Sequence, residues 1–160
     1  MTLLESTAFD YGPEWSERMR GLPALSDPEA LRLEQEWTGW VSDRIAGCLR
    51  VWTAVHGPAH LIGFSGHTWY HEPAGRGARA VGDGALLTRT VGLPVVADYR
   101  SADVAAGGQG APLVPLFDSV VLSGHGACLN LGGIANLTWL PQSADDPVRA
   151  VSYTHLRAHE

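Results

Sequence analysis

An α/β fold is predicted from three patterns along the chain. Two short apolar runs, residues 59–64 and 93–97, end beside polar or glycine residues and are separated by a helix-like segment, residues 82–90. The order of strand, loop, helix and strand is typical of an α/β layer. A long amphipathic helix precedes the first run, and a hairpin pattern follows the second. We therefore predict a mixed sheet with flanking helices.

Two helices are predicted before the first strand. Residues 14–20 form a short amphipathic stretch between turn signals. Ser26, Pro28 and Glu29 then combine a capping serine, a first-turn proline and a capping-box glutamate, which is a strong helix start. This second helix is predicted to end near His56. Its apolar stripe consists of Leu33, Trp37, Trp40, Val41, Ile45, Cys48, Leu49 and Trp52. We expect the stripe to pack mainly into the core rather than into an interface, since aromatic stripes at helical spacing usually pack inward.

The remaining elements follow the second strand. Residues 127–131 and 134–140 are apolar runs on either side of Gly132-Gly133, a connection that suits a tight hairpin turn. The sequence has no internal repeat or low-complexity segment, and 160 residues is the size of one ordinary domain. We therefore assign residues 1–151 to a single domain.

Composition excludes several function classes. The chain has 11 Lys and Arg against 17 Asp and Glu, a formal charge of -6, which argues against nucleic acid or anionic membrane as the main partner. No apolar run reaches the roughly 18 residues of a membrane span, and the N-terminus lacks a signal-peptide pattern. A cytoplasmic location is therefore expected. Cys48 and Cys128 lie far apart within apolar patterns, so we predict buried free thiols rather than a disulfide or metal pair.

The first candidate site follows the second predicted strand. Asp98, Arg100 and Asp103 lie in a predicted loop directly after residue 97, and ligands of α/β sheets bind beyond the carboxyl ends of strands. Carboxylates there could hold sugar hydroxyls or magnesium, and the guanidinium could bind a carboxylate or phosphate through two hydrogen bonds. A local ion pair that only fixes the loop explains the same residues, and the spacing favours it slightly.

Two further segments could contact a small ligand. Residues 105–112 hold three glycines in four positions around Gln109, so the backbone there could approach a ligand closely. The segment has neither the Gly-Lys-Ser/Thr of a Walker A loop nor the spacing of a dinucleotide fingerprint, and a tight structural turn explains it equally well. His67 and Thr68 lie in a predicted loop after the first strand. A lone histidine in such a place is more often a hydrogen-bonding group than a catalyst.

The predicted hairpin tip is a candidate phosphate contact. Asn130 and Asn136 flank Gly132-Gly133, and backbone N–H groups exposed at such a tip can face phosphate oxygens. Hairpins of this kind without any ligand are common, so the motif is weak in isolation.

Four segments together resemble one enzyme family in their order and spacing. Residues 63–68, 82–84, 93–115 and 130–138 resemble anhydro-N-acetylmuramic acid kinases, and a looser resemblance extends back to about residue 6. The resemblance implies an actin-like (ribonuclease H-like) sugar-kinase fold, of which this chain would form part of the N-terminal lobe. It implies ATP and Mg²⁺ as cofactors, an amino sugar as substrate, cell-wall recycling as the setting and a homodimer in the intact enzyme.

The resemblance also implies a reaction and roles for the candidate residues. Water would open the 1,6-anhydro ring of anhydro-N-acetylmuramate while O6 takes the γ-phosphate, giving N-acetylmuramate 6-phosphate. The substrate-binding residues would be His67, Thr68, Asp98, Arg100, Asp103 and Gln109. The nucleotide-binding residues would be Asn130, Gly132, Gly133 and Asn136. The family's water-activating aspartate lies in a later Phe-Asp-Thr-Gly-Pro-like motif, so no catalytic residue is assigned in this chain.

The sequence departs from the family pattern at three places. The family usually opens with a Gly-x-x-Ser-Gly-Thr-Ser-x-Asp-Gly phosphate loop, whereas Met1 begins a segment that resembles the family sequence some way after that loop. Residues 152–160 resemble nothing in the family and have the character of a non-native tail. His67 stands where many members have glutamine, and Ser65 where many have histidine. We therefore expect a fragment that lacks the phosphate loop and the C-terminal half and is inactive by itself.

A rival interpretation is a non-catalytic sugar-binding or scaffold domain built on the same fold. The two interpretations differ in what the surrounding reading frame should contain. A phosphate loop upstream and a Phe-Asp-Thr-Gly motif downstream would establish the enzyme, whereas a genuine start and stop at the ends of this chain would favour the rival.

Overall fold

A computed structural model describes residues 2–72, 77–131, 135–140, 143 and 146–153 of the chain. The described helices are α1 (Gly12–Gly21), α2 (Asp27–His56), α3 (Gly84–Val91), α4 (Tyr99–Ala105) and α5 (Val114–Val121), with a 3-10 turn at Leu22–Ala24. The described strands are β1 (Ile62–Phe64), β2 (His67–Glu72), β3 (Gly77–Val81), β4 (Val95–Ala97), β5 (Ala127–Leu131), β6 (Ala135–Trp139) and β7 (Arg149–Tyr153). The predicted mixture of helices and strands is confirmed. Among the described residues, none of the helices combines the length and the hydrophobicity that a membrane span requires.

The described strands form three small sheets rather than the single mixed sheet predicted. Strands β1 and β4 pair in parallel, β2 and β3 pair antiparallel, and β5, β6 and β7 form an antiparallel sheet in that order. Gly66, at φ 66°, turns the chain out of β1 and into β2. Strand β2 therefore pairs with β3 as a separate hairpin instead of extending the parallel pair. Residues 154–160, most of the predicted tail, lie outside the described residues.

Helix α2 begins where the sequence predicts. Ser26 and Glu29 form the complete capping box, and the backbone N–H of Ser26 donates to Glu29 Oε2 at 2.9 Å. Of the predicted apolar stripe, Leu33 and Trp37 are buried, and the other members are half-buried. Cys48 and Cys128 are free thiols as predicted, but both are only half-buried.

The core lies between α1 with the 3-10 turn, α2, α3, β1 and the end of β3. Its buried apolar members are Met19, Leu22, Leu33, Trp37, Phe64, Val81 and Leu87. Trp37 stacks on Phe64 with ring centroids 6.0 Å apart and planes inclined by 22°. This stacking packs the middle of α2 against the last residue of β1. The candidate site begins directly after that residue.

Polar side chains of α2 hold the turn before α3. Thr38 is fully buried; its hydroxyl donates to the backbone carbonyl of Glu34 at 2.7 Å and accepts from the backbone N–H of Asp83 at 3.0 Å. The backbone N–H of Gly82 donates to Glu34 Oε1 at 2.9 Å. Asp83 then caps α3 by accepting from the backbone N–H of Leu86 at 2.9 Å. The predicted helix over residues 82–90 is confirmed and is fixed to α2 at its start.

Candidate functional site

The candidate site lies beyond the carboxyl ends of β1 and β4. The two strands run parallel with Phe64 opposite Ala97, so the segments that begin at Ser65 and Asp98 leave from the same sheet edge. In α/β structures this edge is where ligands bind. The first residues of β2 and the first turn of α4 are thereby brought together.

Both segments are more regular than the sequence predicted. The sequence predicts a loop after the first strand, but residues 67–72 form strand β2, whose Thr68-Trp69-Tyr70 is rich in the β-branched and aromatic residues that strands favour. Residues 98–103, also predicted to be a loop, form the N-cap and the first turns of helix α4. Asp98 is its N-cap residue, with a left-handed backbone at φ 56°, and its carboxylate accepts from the backbone N–H of Ser101 at 3.4 Å.

Arg100 connects three parts of the site. Its Nε donates to Thr68 Oγ1 at 3.0 Å, and its Nη1 donates to the backbone carbonyl of Gly110 at 2.6 Å. Asp103, one turn further along α4, accepts from the backbone N–H of Gly110 through Oδ2 at 2.7 Å. The two charged side chains thus bind the two polar groups of one glycine rather than each other. The structure joins Thr68, Arg100 and Asp103 around the glycine-rich loop, residues 107–110.

The glycine-rich loop is packed closely against α4. The backbone N–H of Gly108 donates to the carbonyl of Asp103 at 2.8 Å. A Cβ added to Gly108 would lie closer to the Asp103 carboxylate than the 3.0 Å that real Cβ contacts respect. Gly110 is buried at φ 72°, and a Cβ there would lie 3.0 Å from Val104 Cγ2. Between them Gln109 is exposed, so the loop presents this side chain at the surface.

His67 lies in an aromatic setting beside Thr68. A hydrogen bond of 3.3 Å joins its Nδ1 to the hydroxyl of Tyr11, and its ring centroid is 6.3 Å from that of Trp37. Burial lowers the pKa of His67, and burial raises the pKa of Tyr11. No local sequence signal indicates this pair, because the two residues lie 56 positions apart.

The two strands of the predicted hairpin are present. Strands β5 and β6 pair with Asn130 opposite Asn136, and Asn130 is exposed while Asn136 is half-buried. Gly132 and Gly133, the predicted phosphate contacts, lie outside the described residues. The assignment of these four residues to the nucleotide therefore stays a prediction.

A buried carboxylate that the sequence did not predict anchors this hairpin. Asp118 on α5 is 5% exposed and accepts from Thr138 Oγ1 at 2.8 Å. Cys128 lies opposite Thr138 in the sheet, and the pKa of its thiol is raised by burial and by the nearby charge of Asp118. Helix α5 was not predicted, and these contacts hold it against the sheet.

The comparison with protein families decides where the chain belongs. A sequence model described as anhydro-N-acetylmuramic acid kinase matches residues 24–151. The chain is a member of this family. The matched range includes Thr68, Arg100, Asp103 and Gly110, which together form the Arg100 cluster.

Relatives named anhydro-N-acetylmuramic acid kinase agree with this membership. The Paramagnetospirillum magneticum protein is 40% identical over 138 residues, which cover 84% of this chain and 39% of the relative. The Cereibacter sphaeroides protein is 52% identical over 87 residues, covering 51% of this chain and 24% of the relative. The Pseudomonas paraeruginosa protein is 37% identical over 154 residues, covering 92% and 42%. The chain thus spans at most about two fifths of the length of these relatives.

In the part of the chain that the structure describes, the carboxylates near the candidate site accept hydrogen bonds from backbone N–H groups. Within this part of the chain, no group of three or more His, Cys, Asp or Glu side chains could hold a metal ion. The Asp103 carboxylate is directed at a backbone N–H, and that of Asp98 caps its own helix. These two carboxylates are therefore not assigned as Mg²⁺ ligands.

The buried setting of His67 predicts a pH-dependent stability of this family member. Its pKa lies below the ordinary value of 6.5 in the folded chain, so the unfolded chain binds a proton first as the pH falls. The stability that the neutral His67 imidazole contributes to the folded chain is present above about pH 6.5 and is lost as the pH falls through the folded pKa. In urea unfolding at about pH 7.5 and 5.5, we expect His67→Gln to lose less stability on acidification than the unchanged chain. Equal losses of stability in the variant and in the unchanged chain would contradict a lowered pKa of His67 in the folded chain.

Proposed function

We propose that the protein containing this chain is an ATP-dependent kinase of anhydro-N-acetylmuramate. In the proposed reaction, water opens the 1,6-anhydro ring and O6 takes the γ-phosphate, giving N-acetylmuramate 6-phosphate for cell-wall recycling. Family membership over residues 24–151 carries the proposal. The Arg100 cluster at the carboxyl edge of β1 and β4 supports it, since a charged, hydrogen-bonding group there suits a polar sugar acid.

The proposed sugar side consists of the residues around this cluster. Arg100 has five N–H donors, and its Nε and Nη1 already hold Thr68 and Gly110. A guanidinium fixed in this way can direct its remaining donors at the carboxylate of the substrate through a two-pronged contact. The residues proposed to line the sugar side are His67, Thr68, Asp98, Arg100, Asp103 and Gln109.

The proposed nucleotide side is the β5–β6 hairpin. We propose that Asn130 and Asn136 hold the turn while the backbone of Gly132 and Gly133 faces the phosphates of ATP, which Mg²⁺ accompanies. The actin-like arrangement of two lobes around a cleft belongs to the same proposal. Catalysis in such a cleft is mainly positioning and charge stabilisation, and this chain would contribute the positioning of the sugar.

A coupled assay tests the proposal directly. Protein expressed from the complete reading frame is incubated with anhydro-N-acetylmuramate, ATP and magnesium, and the products are identified by mass spectrometry. We expect N-acetylmuramate 6-phosphate, formed only with all three components. Sugar binding without turnover in that protein would instead favour the non-catalytic sugar-binding domain.

The 160-residue chain is expected to be inactive in the same assay. It matches only 39% of the length of the Paramagnetospirillum magneticum relative and 42% of that of the Pseudomonas paraeruginosa relative, so most of either relative's residues have no counterpart in it. Losing one member of a catalytic group commonly costs several kcal/mol of transition-state stabilisation, and here far more is absent. Product formation by the purified 160-residue chain, above a mock preparation, would contradict this expectation.

A further inference from the structure

Both backbone polar groups of Gly110, its N–H and its carbonyl, are hydrogen-bonded to side chains of helix α4. Its carbonyl accepts from Arg100 Nη1 at 2.6 Å, and its N–H donates to Asp103 Oδ2 at 2.7 Å. Both side chains come from α4, three residues apart, and therefore project from the same face of that helix. Gly110 is buried, so the loss of either partner would leave a buried polar group unsatisfied.

The half-buried Asp103 carboxylate also lies directly against Gly108 of the loop that it binds. Gly108 lies so close that a Cβ on this residue would overlap the carboxylate group. The carbonyl of Asp103 accepts from the N–H of Gly108 at 2.8 Å, which fixes the loop against the same turn of helix. The carboxylate thus binds the backbone of the loop. Gln109, between the two glycines, is the side chain of the loop that is exposed at the surface.

We infer that Asp103 is a positioning residue, whose carboxylate sets the shape of residues 107–110 and so presents Gln109 to the sugar. The inference rests on the proposed function for the identity of the ligand. It separates Asp103 from Arg100: the arginine keeps donors for the substrate, whereas the aspartate acts through Gly110. The partner of its Oδ2 is a neutral N–H, so the role needs an acceptor oxygen at that place and not a negative charge.

This requirement distinguishes positioning from direct binding of sugar or metal. Asparagine supplies an acceptor oxygen of the same reach, so Asp103→Asn should restore most of what Asp103→Ala loses. A carboxylate that accepts two sugar hydroxyls or binds magnesium would not be replaced by an amide, since the NH₂ group is a donor. The pair of variants therefore separates the two roles.

Kinetics of protein from the complete reading frame give the first test. With Asp103→Ala, we expect the KM for anhydro-N-acetylmuramate to rise about 10-fold or more while the KM for ATP stays within about 2-fold. Asp103→Asn should lie within about 3-fold of the unchanged protein. An asparagine variant as impaired as the alanine variant, or an alanine variant with unchanged kinetics, would overturn the inference.

Gly108→Ala supplies a matched test from the opposite side of the contact. Its methyl group would displace the carboxylate, so this variant should reproduce the rise in sugar KM seen with Asp103→Ala. When the two changes are combined, the methyl group enters the space left by the carboxylate, and the double variant should be no worse than either single one. Gly126→Ala, with nothing within 4 Å of the added atom, is the control and should change neither KM. Multiplicative effects in the double variant would contradict the shared mechanism.

Hydrogen exchange at Gly110 tests the positioning without any assay of activity. Its N–H is protected by Asp103 Oδ2, so Asp103→Ala should speed exchange about 10-fold or more, and Asp103→Asn should leave most of the protection. If the unchanged protein forms no N-acetylmuramate 6-phosphate, the proposed function fails while this measurement still decides the role of Asp103 in the loop. Equal exchange in all three proteins would overturn that role whatever the activity.

Discussion

Replacing Arg100 with alanine is expected to lower kcat/KM for anhydro-N-acetylmuramate by about 10- to 200-fold, the worth of one or two charged hydrogen bonds. The change removes the contact to Thr68 and the contact to Gly110 at once, together with the donors proposed for the substrate. Protein from the complete reading frame, assayed at saturating ATP, gives the measurement. The KM for ATP should change little, because the proposed nucleotide contacts lie on the β5–β6 hairpin.

Two further variants show whether the geometry or the charge of Arg100 matters. Arg100→Lys keeps a positive charge but cannot reproduce the planar fork that binds two partners, so we expect an intermediate loss. Arg89→Ala removes a positive charge from the exposed last turn of α3 and serves as the control. Kinetics of Arg100→Ala that match those of the control would leave Arg100 a purely structural residue.

The helices of this chain could be predicted because their start and end signals are local. Ser26 and Glu29 satisfy each other across one turn, and Gly92 ends α3 in the left-handed conformation that glycine adopts without strain. The hairpin of β5 and β6 was predictable for the same reason, since its turn residues lie between two apolar runs. The parallel strands β1 and β4 were found from their apolar runs, although each is shorter than predicted.

The β2–β3 hairpin could not be predicted because its signals are weak and irregular. The register between Thr68 and Tyr70 shifts by a bulge, so β2 lacks the strict alternation by which strands are recognised. Helix α4 was missed for a related reason: Asp98 caps it from a left-handed backbone, which is uncommon for a residue other than glycine. In both cases the prediction of a loop was wrong.

The candidate site was predicted as a set of residues but not as an arrangement. Arg100, Asp103 and Thr68 were all predicted, yet Arg100 and Asp103 meet at the backbone of Gly110, which carries no side-chain signal in the sequence, and Thr68 joins them through Arg100. The partnership of Tyr11 with His67 and that of Asp118 with Thr138 depend on packing between distant segments. Residue patterns can therefore indicate which side chains matter, while their hydrogen-bond partners require the fold.

Gly82→Ala is expected to lower the free energy of unfolding by about 2 to 6 kcal/mol, the sum of backbone strain and overpacking. Gly82 has φ 139°, and an added Cβ would lie 2.7 Å from Phe64 Cε1 and 3.2 Å from Trp37 Cζ3. Phe64 is 8% exposed and stacked on Trp37, so neither ring can move without disturbing the core. The turn would also be pushed away from Glu34, which accepts the N–H of Gly82 at 2.9 Å.

Gly92→Ala separates the two causes of this destabilisation. Gly92 also has a positive φ, 75°, but nothing lies within 4 Å of a Cβ added there. Gly92→Ala should therefore lower the free energy of unfolding only by the cost of the left-handed backbone, about 1 to 2 kcal/mol. Urea unfolding followed by tryptophan fluorescence measures both variants against the unchanged protein. Equal losses at the two glycines would mean that the core yields to the added methyl group, and that the contact of α2 with the turn before α3 is looser than these distances indicate.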